Sequence, residues 1–296
     1  MTAQQTTAEH WGAMAEGDSP FCGTQWLCSP HVLADYVWTY FGGQDWFSWL
    51  RDRYCRPARA DVLSLCCGVG DAERTFLRAG AFERVVGIDL SERVVEKGRQ
   101  ESQAAGMTGL EFVRGDVNTL NLEANSFDLV LSWMAMHHVR ELEHVYEQAA
   151  QALRPGGILV LNEYIGAPRF AFPPAQVRLM DHWLAALPEE LRRWPTGELR
   201  TMTAPDPRIV EAEDPSEAIR SDEIIPRLGQ RFNIIDRVDY GGGLLHFLLG
   251  GSVQCFAESN PIHMGWLDRL YDAERAAMAR GEIGSDFTLL VAEPKQ

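Results

Sequence analysis

Leu63–Glu73 reads LSLCCGVGDAE, an apolar run that enters a turn with two glycines, Gly68 and Gly70, and leaves it on the acids Asp71 and Glu73. A short buried strand that stops at a glycine turn and restarts as a helix is how a nucleotide loop begins. Working outward, DVLSL is the strand and AERTFLRAG the helix, stopped at Gly80. RVVGIDL is a second strand, and SERVVEKGRQESQAAG a helix with Ser91 at its N-cap and Gly106 as its stop. LEFVRGDV and FDLVLSW follow as strands, then the helix LEHVYEQAAQAL, the turn RPGG and a fifth strand, ILVLNEY. Strands alternating with helices at this spacing imply right-handed crossovers and a parallel sheet. After Tyr164 the rhythm breaks: APRFAFPP is a loop and 175–228 reads as helices and Pro-rich turns. RFNIIDRVDY and DFTLLVAEP are the last two strands, joined through the helical stretch WLDRLYDAERAAMARG and expected as an antiparallel pair at the sheet edge.

The chain has 296 residues, enough for one large domain with sizeable insertions. Hydrophobic residues make up 46% and charged residues 23%, the balance of a globular chain with a real core. Lys and Arg total 27 against 42 Asp and Glu, 27 − 42 = −15, so no overall field attracts a phosphate backbone or an anionic membrane. No basic-then-apolar leader opens the chain and no apolar run approaches the roughly 18 residues of a membrane helix. The expectation is a cytoplasmic protein that acts on a small molecule rather than on nucleic acid or a membrane, with its oligomeric state left open. The six cysteines are then reduced thiols; Cys22 and Cys28 are too far apart for a CxxC pair, and no His/Cys spacing completes a zinc site. No metal is expected.

Ligands of open parallel sheets bind beyond the carboxyl ends of the strands. Asp89, Asp116 and Ser132 fall there, after strands two, three and four. Asp89 lies 89 − 70 = 19 positions past Gly70, well placed to accept hydrogen bonds from ribose hydroxyls. The third glycine of a dinucleotide loop is replaced by Glu73, and Asp71 and Glu73 would repel a pyrophosphate at the helix start. No GK[ST] follows, so a P-loop is excluded. An adenosine ligand without phosphate and with positive charge at its far end fits better, and S-adenosyl-L-methionine (SAM) is such a molecule.

Across roughly residues 60–165 the pieces VLSLCCGVG, GIDLS, RGDVNTL, FDLVLSW and LRPGGILVL resemble, in order and spacing, class I SAM-dependent methyltransferases. The resemblance implies an α/β, Rossmann-like fold: a seven-stranded, mostly parallel sheet with an antiparallel last strand. The expected organisation is one domain, with an aromatic-rich helical lid segment at 1–58, whose helical apolar spacing also suits a layer packed on the core, the SAM-binding core at 59–165, a helical cap at 166–228 and closing strands with inserted helices at 229–296. It also implies that the loop through Ser64, Cys66, Cys67, Gly68 and Gly70 faces the methionine part of SAM, that Asp89 binds the ribose, that Leu90 packs on the adenine, that Asp116 and Val117 meet its edge, and that Ser132 lies near the methionine end. Two departures from the family pattern stand out: Ser64 replaces an acid and Cys66 a glycine. Glu73 is a possible substitute for the missing charge. Cysteines are small and tolerate burial, so Cys66 and Cys67 read as packing residues that let the backbone approach the ligand.

Methyl transfer is an in-line displacement that needs the acceptor aligned within about 3–3.5 Å. A hydroxyl acceptor also needs a base. His137 and His138, in SWMAMHHV just past strand four, are the first candidates, since histidine titrates near neutrality. One of the two is equally suited to a structural bond with a backbone carbonyl. Glu163 at the end of strand five and His246 after YGGGLLH are the others; Glu163 could instead be a buried partner of Arg169 or of an N–H group. Arg169 and Arg220 could bind an anionic acceptor or serve as salt-bridge partners. The expected function is methyl transfer from SAM to a small molecule, at a hydroxyl oxygen of a sugar or specialised metabolite, with N- or C-methylation or a non-catalytic SAM-binding module as alternatives.

Overall fold

The structure is a computed structural model that describes residues 3–17, 23–201 and 204–295; Cys22 lies outside them. Its centre is a seven-stranded sheet: β1 (Arg59–Leu65), β2 (Phe82–Asp89), β3 (Leu110–Arg114), β4 (Phe127–Trp133), β5 (Leu153–Tyr164), β6 (Phe232–Asp239) and β7 (Phe287–Pro294). The spatial order is β3-β2-β1-β4-β5-β7-β6. β1 to β5 run parallel, and β7 enters antiparallel between β5 and β6. The helices are α1 (Ala3–Ala15), α2 (Trp46–Tyr54), α3 (Asp71–Arg78), α4 (Glu92–Ala104), α5 (Leu142–Ala152), α6 (Pro174–Ala186), α7 (Pro207–Glu213), α8 (Ile224–Arg231), α9 (Leu245–Leu249) and α10 (Pro261–Ala279).

Side chains of the central strands alternate between two hydrophobic layers, as a sheet covered on both faces requires. Val62, Leu129, Leu131, Ile158, Val160, Leu289 and Val291 face one layer; Leu63, Leu65, Val130, Leu159, Leu161 and Leu290 face the other, against α5 and α8. Most of the aromatic N-terminal segment belongs to the first layer: Trp26, Tyr36, Phe41, Trp46 and Trp49 are buried in it. α1 lies over the carboxyl ends of the strands, with Gln4 bonded to Asp116 and the Trp11 ring against His138. β5 starts earlier than its sequence suggests. The RPGG turn is a bulged entry into that strand, where the register jumps from Phe127↔Leu153 to Leu129↔Ile158 and Gly156 adopts φ 80°. Ser91 holds the N-cap of α4 by position, but its side chain makes no capping bond; its backbone N–H instead donates to Asp89 Oδ1 at 2.9 Å.

Candidate active site

Parallel pairing in register stacks the ends of β1, β2 and β4 side by side, with Leu65 opposite both Ile88 and Ser132. The loop 66–70, Asp89 and Ser132 therefore meet at one edge. Asp89 Oδ2 accepts from the Gly68 N–H at 3.1 Å and Oδ1 from Ser91, so each oxygen keeps a lone pair for a ligand. Gly68 has φ 56° and open space where a Cβ would stand. Ser132 Oγ is buried without a partner, and so is Glu73 Oε2. Asp116 caps the turn after β3, accepting from Asn118 N–H at 2.9 Å; Val117 is buried, and Leu90, next to Asp89, is half-buried. A carboxylate with spare lone pairs, an open glycine cradle and two orphan polar groups fit an adenosine ligand with a polar amino-acid tail.

Cys66 takes φ 52°, the left-handed conformation that glycine holds without strain. Cys67 Sγ fills the space over Gly87, where an added Cβ would stand 2.6 Å away. Burial pushes both thiols well above their ordinary range, and the charges of Asp89, Glu73 and their neighbours push the same way. Neither is a thiolate at neutral pH, the form that attacks or binds soft metals.

The acceptor-side candidates come together past β4 and β5. Trp133 pairs with Asn162, which brings the turn after β4 against the end of β5. Glu163, 0% exposed, receives N–H bonds from Ala135 at 2.9 Å and Met136 at 2.5 Å on Oε2, and from Tyr164 at 2.8 Å on Oε1. His137 Nδ1 bonds the same Oε1, and its Nε2 faces Glu217 at 3.6 Å. Burial pulls His137 down, but the charge and hydrogen bond of Glu163, helped by Glu217 and Asp214, lift it to about 9. His138 goes the other way: burial and the charge on His137 lower it to about 4. Its tautomer follows from its neighbours. Ser216 Oγ donates its proton to Asp214 Oδ1 at 2.8 Å, so Ser216 Oγ accepts from His138 Nδ1–H at 3.1 Å and the ring's lone pair sits on Nε2.

His246 does not join this pair. It is half-buried in α9 among Trp26, Tyr164, Phe170, Phe247 and Phe287, with Nδ1 unpartnered, and burial lowers it to about 3. Tyr164 links the two groups, its ring 6.0 Å from that of His137. Arg169 is not the partner of Glu163. It donates to the carbonyls of Glu217 at 2.8 Å, Pro215 at 2.5 Å and Asp214 at 3.2 Å, and so holds the loop 214–217. Arg220 is taken by Glu143 and Glu223.

That loop supplies the residues that reading along the chain did not assign to the site: Asp214, Ser216 and Glu217. His137, His138 and Glu217 offer atoms within 4.8 Å of one another, a convergence that no local spacing announces. α1 closes the site from above. Gln4 donates to Asp116 at 2.8 Å, Thr7 and Trp11 donate to Asp214 at 3.1 Å each, and the Trp11 ring stands edge-on to His138 at 5.0 Å. Its end is tied to α4 through Arg93–Glu16 and Lys97 to the Ala15 carbonyl.

A sheet of this order, with a glycine loop after β1 and an acid after β2, defines the Rossmann-like methyltransferase fold. Residues 62–157 match the family described as a methyltransferase domain. Over those residues the chain is similar to class I SAM-dependent methyltransferase domains, a family whose cofactor is S-adenosyl-L-methionine. One relative is a demethylmenaquinone methyltransferase of Oceanobacillus iheyensis, 32% identical over 120 residues, which are 39% of this chain and 50% of the relative. The chain thus spans about half the length of the curated relatives it matches. Two solved structures share the fold. The geranyl diphosphate C-methyltransferase of Streptomyces coelicolor A3(2), in complex with Mg2+, geranyl diphosphate and S-adenosyl-L-homocysteine, has a TM-score of 0.52 at 14% identity and is covered over 76%, against 83% of this chain. The [4+2]-cyclase SpnF has a TM-score of 0.50 at 20% identity, with 80% of it and 84% of this chain covered. Among the described residues no helix is long and apolar enough to cross a membrane.

Proposed function

We propose that this protein transfers a methyl group from SAM to a hydroxyl oxygen of a small-molecule acceptor, with His137 as the base and Glu163 as its orienting partner. The observation that carries the reading is the buried His137–Glu163 pair at the joined ends of β4 and β5. When bound, SAM supplies an activated methyl group on a sulfonium. Asp89 holds the ribose hydroxyls, Leu90, Asp116 and Val117 surround the adenine, and Ser132 and the loop from Ser64 through Cys66, Cys67, Gly68 and Gly70 receive the methionine part. Glu163 fixes the proton of His137 on Nδ1, so Nε2 is the atom that takes the acceptor's hydroxyl proton. The imidazolium that results lies beside Glu163, Glu217 and Asp214, three acids that favour its charge. His138 stays neutral and adds no competing cation. α1 keeps water from the site, with Trp11 over His138.

A second reading has one observation behind it: the relative and the fold neighbour named above act at quinone-type and carbon acceptors by their names. The same base would then remove a proton from carbon. Incubation with SAM and a panel of hydroxylated sugars, phenols and quinols, read by a product mass gain of one methylene and by NMR of its position, separates the two. An O-methyl product supports the proposal and a C-methyl product establishes the second reading. SAM binding with no product from any acceptor points to a binding module.

A further inference from the structure

Glu73 is a buried carboxylate with one oxygen unclaimed. It sits in the first turn of α3 and shares a helix face with Phe76, three positions on, which is buried in the core. That phase turns Glu73 toward the sheet and leaves it 1% exposed. Ser64, on the same face of β1 as Val62, donates its hydroxyl to Glu73 Oε1 at 2.5 Å. Oε2 has no partner, and among the described residues no cation pairs with Glu73. Arg74, next in the chain, points away: it donates to Val69 O at 2.6 Å, Asp71 at 2.5 Å and Glu101 at 2.8 Å.

Burial raises the Glu73 carboxyl to about 7, against the Ser64 bond that lowers it. A buried carboxylate without a counter-charge is costly, and such groups are normally paired or bound to a ligand. The position of this one is specific: it is bonded to Ser64 near the end of β1, where the strand runs into the glycine loop, and Gly68 within that loop has open space where a Cβ would stand. The ligand of that loop carries an ammonium group at its amino-acid end.

We propose that Glu73 is the anion that binds the α-ammonium of SAM, with Oε2 as the acceptor and Ser64 as the group that orients the carboxylate. The inference rests on the SAM reading of the site. It assigns the cofactor's positive end to α3, so that Ser64 and Glu73 act as one unit across the turn.

The test is binding calorimetry with two probes, S-adenosylhomocysteine, which has the ammonium, and 5′-methylthioadenosine, which has the same nucleoside and lacks the amino-acid tail. Glu73→Gln keeps the shape and removes the charge. A hydrogen bond to a charged group is worth enough that S-adenosylhomocysteine should bind about tenfold to a hundredfold more weakly. 5′-Methylthioadenosine should bind unchanged. Ser64→Ala, which leaves the charge and removes its orienting bond, should show a smaller loss for S-adenosylhomocysteine alone. Ser64→Asp combined with Glu73→Gln returns a carboxylate to the same corner and should recover much of the lost affinity. Equal weakening of both probes, or no weakening of either, overturns the inference while leaving SAM as the cofactor. Wild-type protein that binds neither probe overturns the cofactor assignment and this inference together.

Discussion

Glu163→Gln is the substitution that tests the proposed base most directly, because it removes one charge without changing shape. In the wild-type protein His137 is lifted from 6.5 to about 9, although burial alone would lower it. With a neutral amide at 163, burial is opposed only by Glu217 and Asp214. The His137 value should then return to 6.5 or below, a fall of about 2.5 or more, worth about 3 kcal/mol. Two consequences follow. The neutral, base-competent form of His137 appears in the wild type only as pH rises through about 9, and in the variant already near 6.5. The variant's base is also weaker, and if half of the change is expressed in the rate, its plateau kcat falls about tenfold to twentyfold.

A group whose folded value is raised contributes stability that is fully present below its unfolded value and is lost as pH rises through the folded one. For His137 that window runs from 6.5 to about 9. Glu163→Gln should therefore destabilise the fold by about 3 kcal/mol more at pH 6 than at pH 10, beyond a pH-independent loss from the Ala135 and Met136 N–H groups that share the carboxylate. Histidine NMR titration and urea unfolding at the two pH values measure both effects without knowledge of the acceptor. A His137 titration unmoved by the substitution, or a stability loss identical at both pH values, refutes the reasoning.

Three further outcomes are expected. Cys66→Gly should leave the melting temperature unchanged or higher, since φ 52° costs an L-residue about 1–2 kcal/mol and glycine nothing, whereas Cys66→Val should lower it; thermal melts of both decide. Gly87→Ala should cost about 1–3 kcal/mol because its Cβ would meet Cys67 Sγ at 2.6 Å, and adding Cys67→Ala should recover part of that loss in urea titrations, with SAM binding retained in Cys67→Ala alone. Trp11→Ala removes the ring over His138 and a bond to Asp214, so S-adenosylhomocysteine should leave faster in stopped-flow displacement; an unchanged rate would show that α1 does not gate the site.

Much of the cofactor end was legible in the sequence because its signals are local. The strand, glycine turn and helix of 61–78 and the acid after the second strand lie close together in the chain, and each is dictated by backbone chemistry or hydrophobic period. The paired histidines were visible too, as residue types just past a strand end. Their roles were not. Whether His137 or His138 carries charge at neutral pH depends on burial and on Glu163, 26 positions from His137, and the tautomer of His138 on Ser216, 78 positions from it.

The aromatic N-terminal segment shows the same limit. Helical spacing suited both a lid over the pocket and a layer packed on the core. The structure buries Trp26, Tyr36, Trp46 and Trp49 in one hydrophobic layer of the sheet and lays α1 over Asp116 and Asp214. By itself, then, the sequence determined the alternation of strands and helices, the glycine loop and the acid facing it, since these follow from periodicity and turn chemistry. Only the tertiary structure decided that Ser64 meets Glu73, that His137 meets Glu163 and that Trp11 meets Asp214. Those contacts are set by strand register, by the phase of α3 on the sheet and by where the loop 214–217 docks, and none of these is a property of neighbouring residues in the chain.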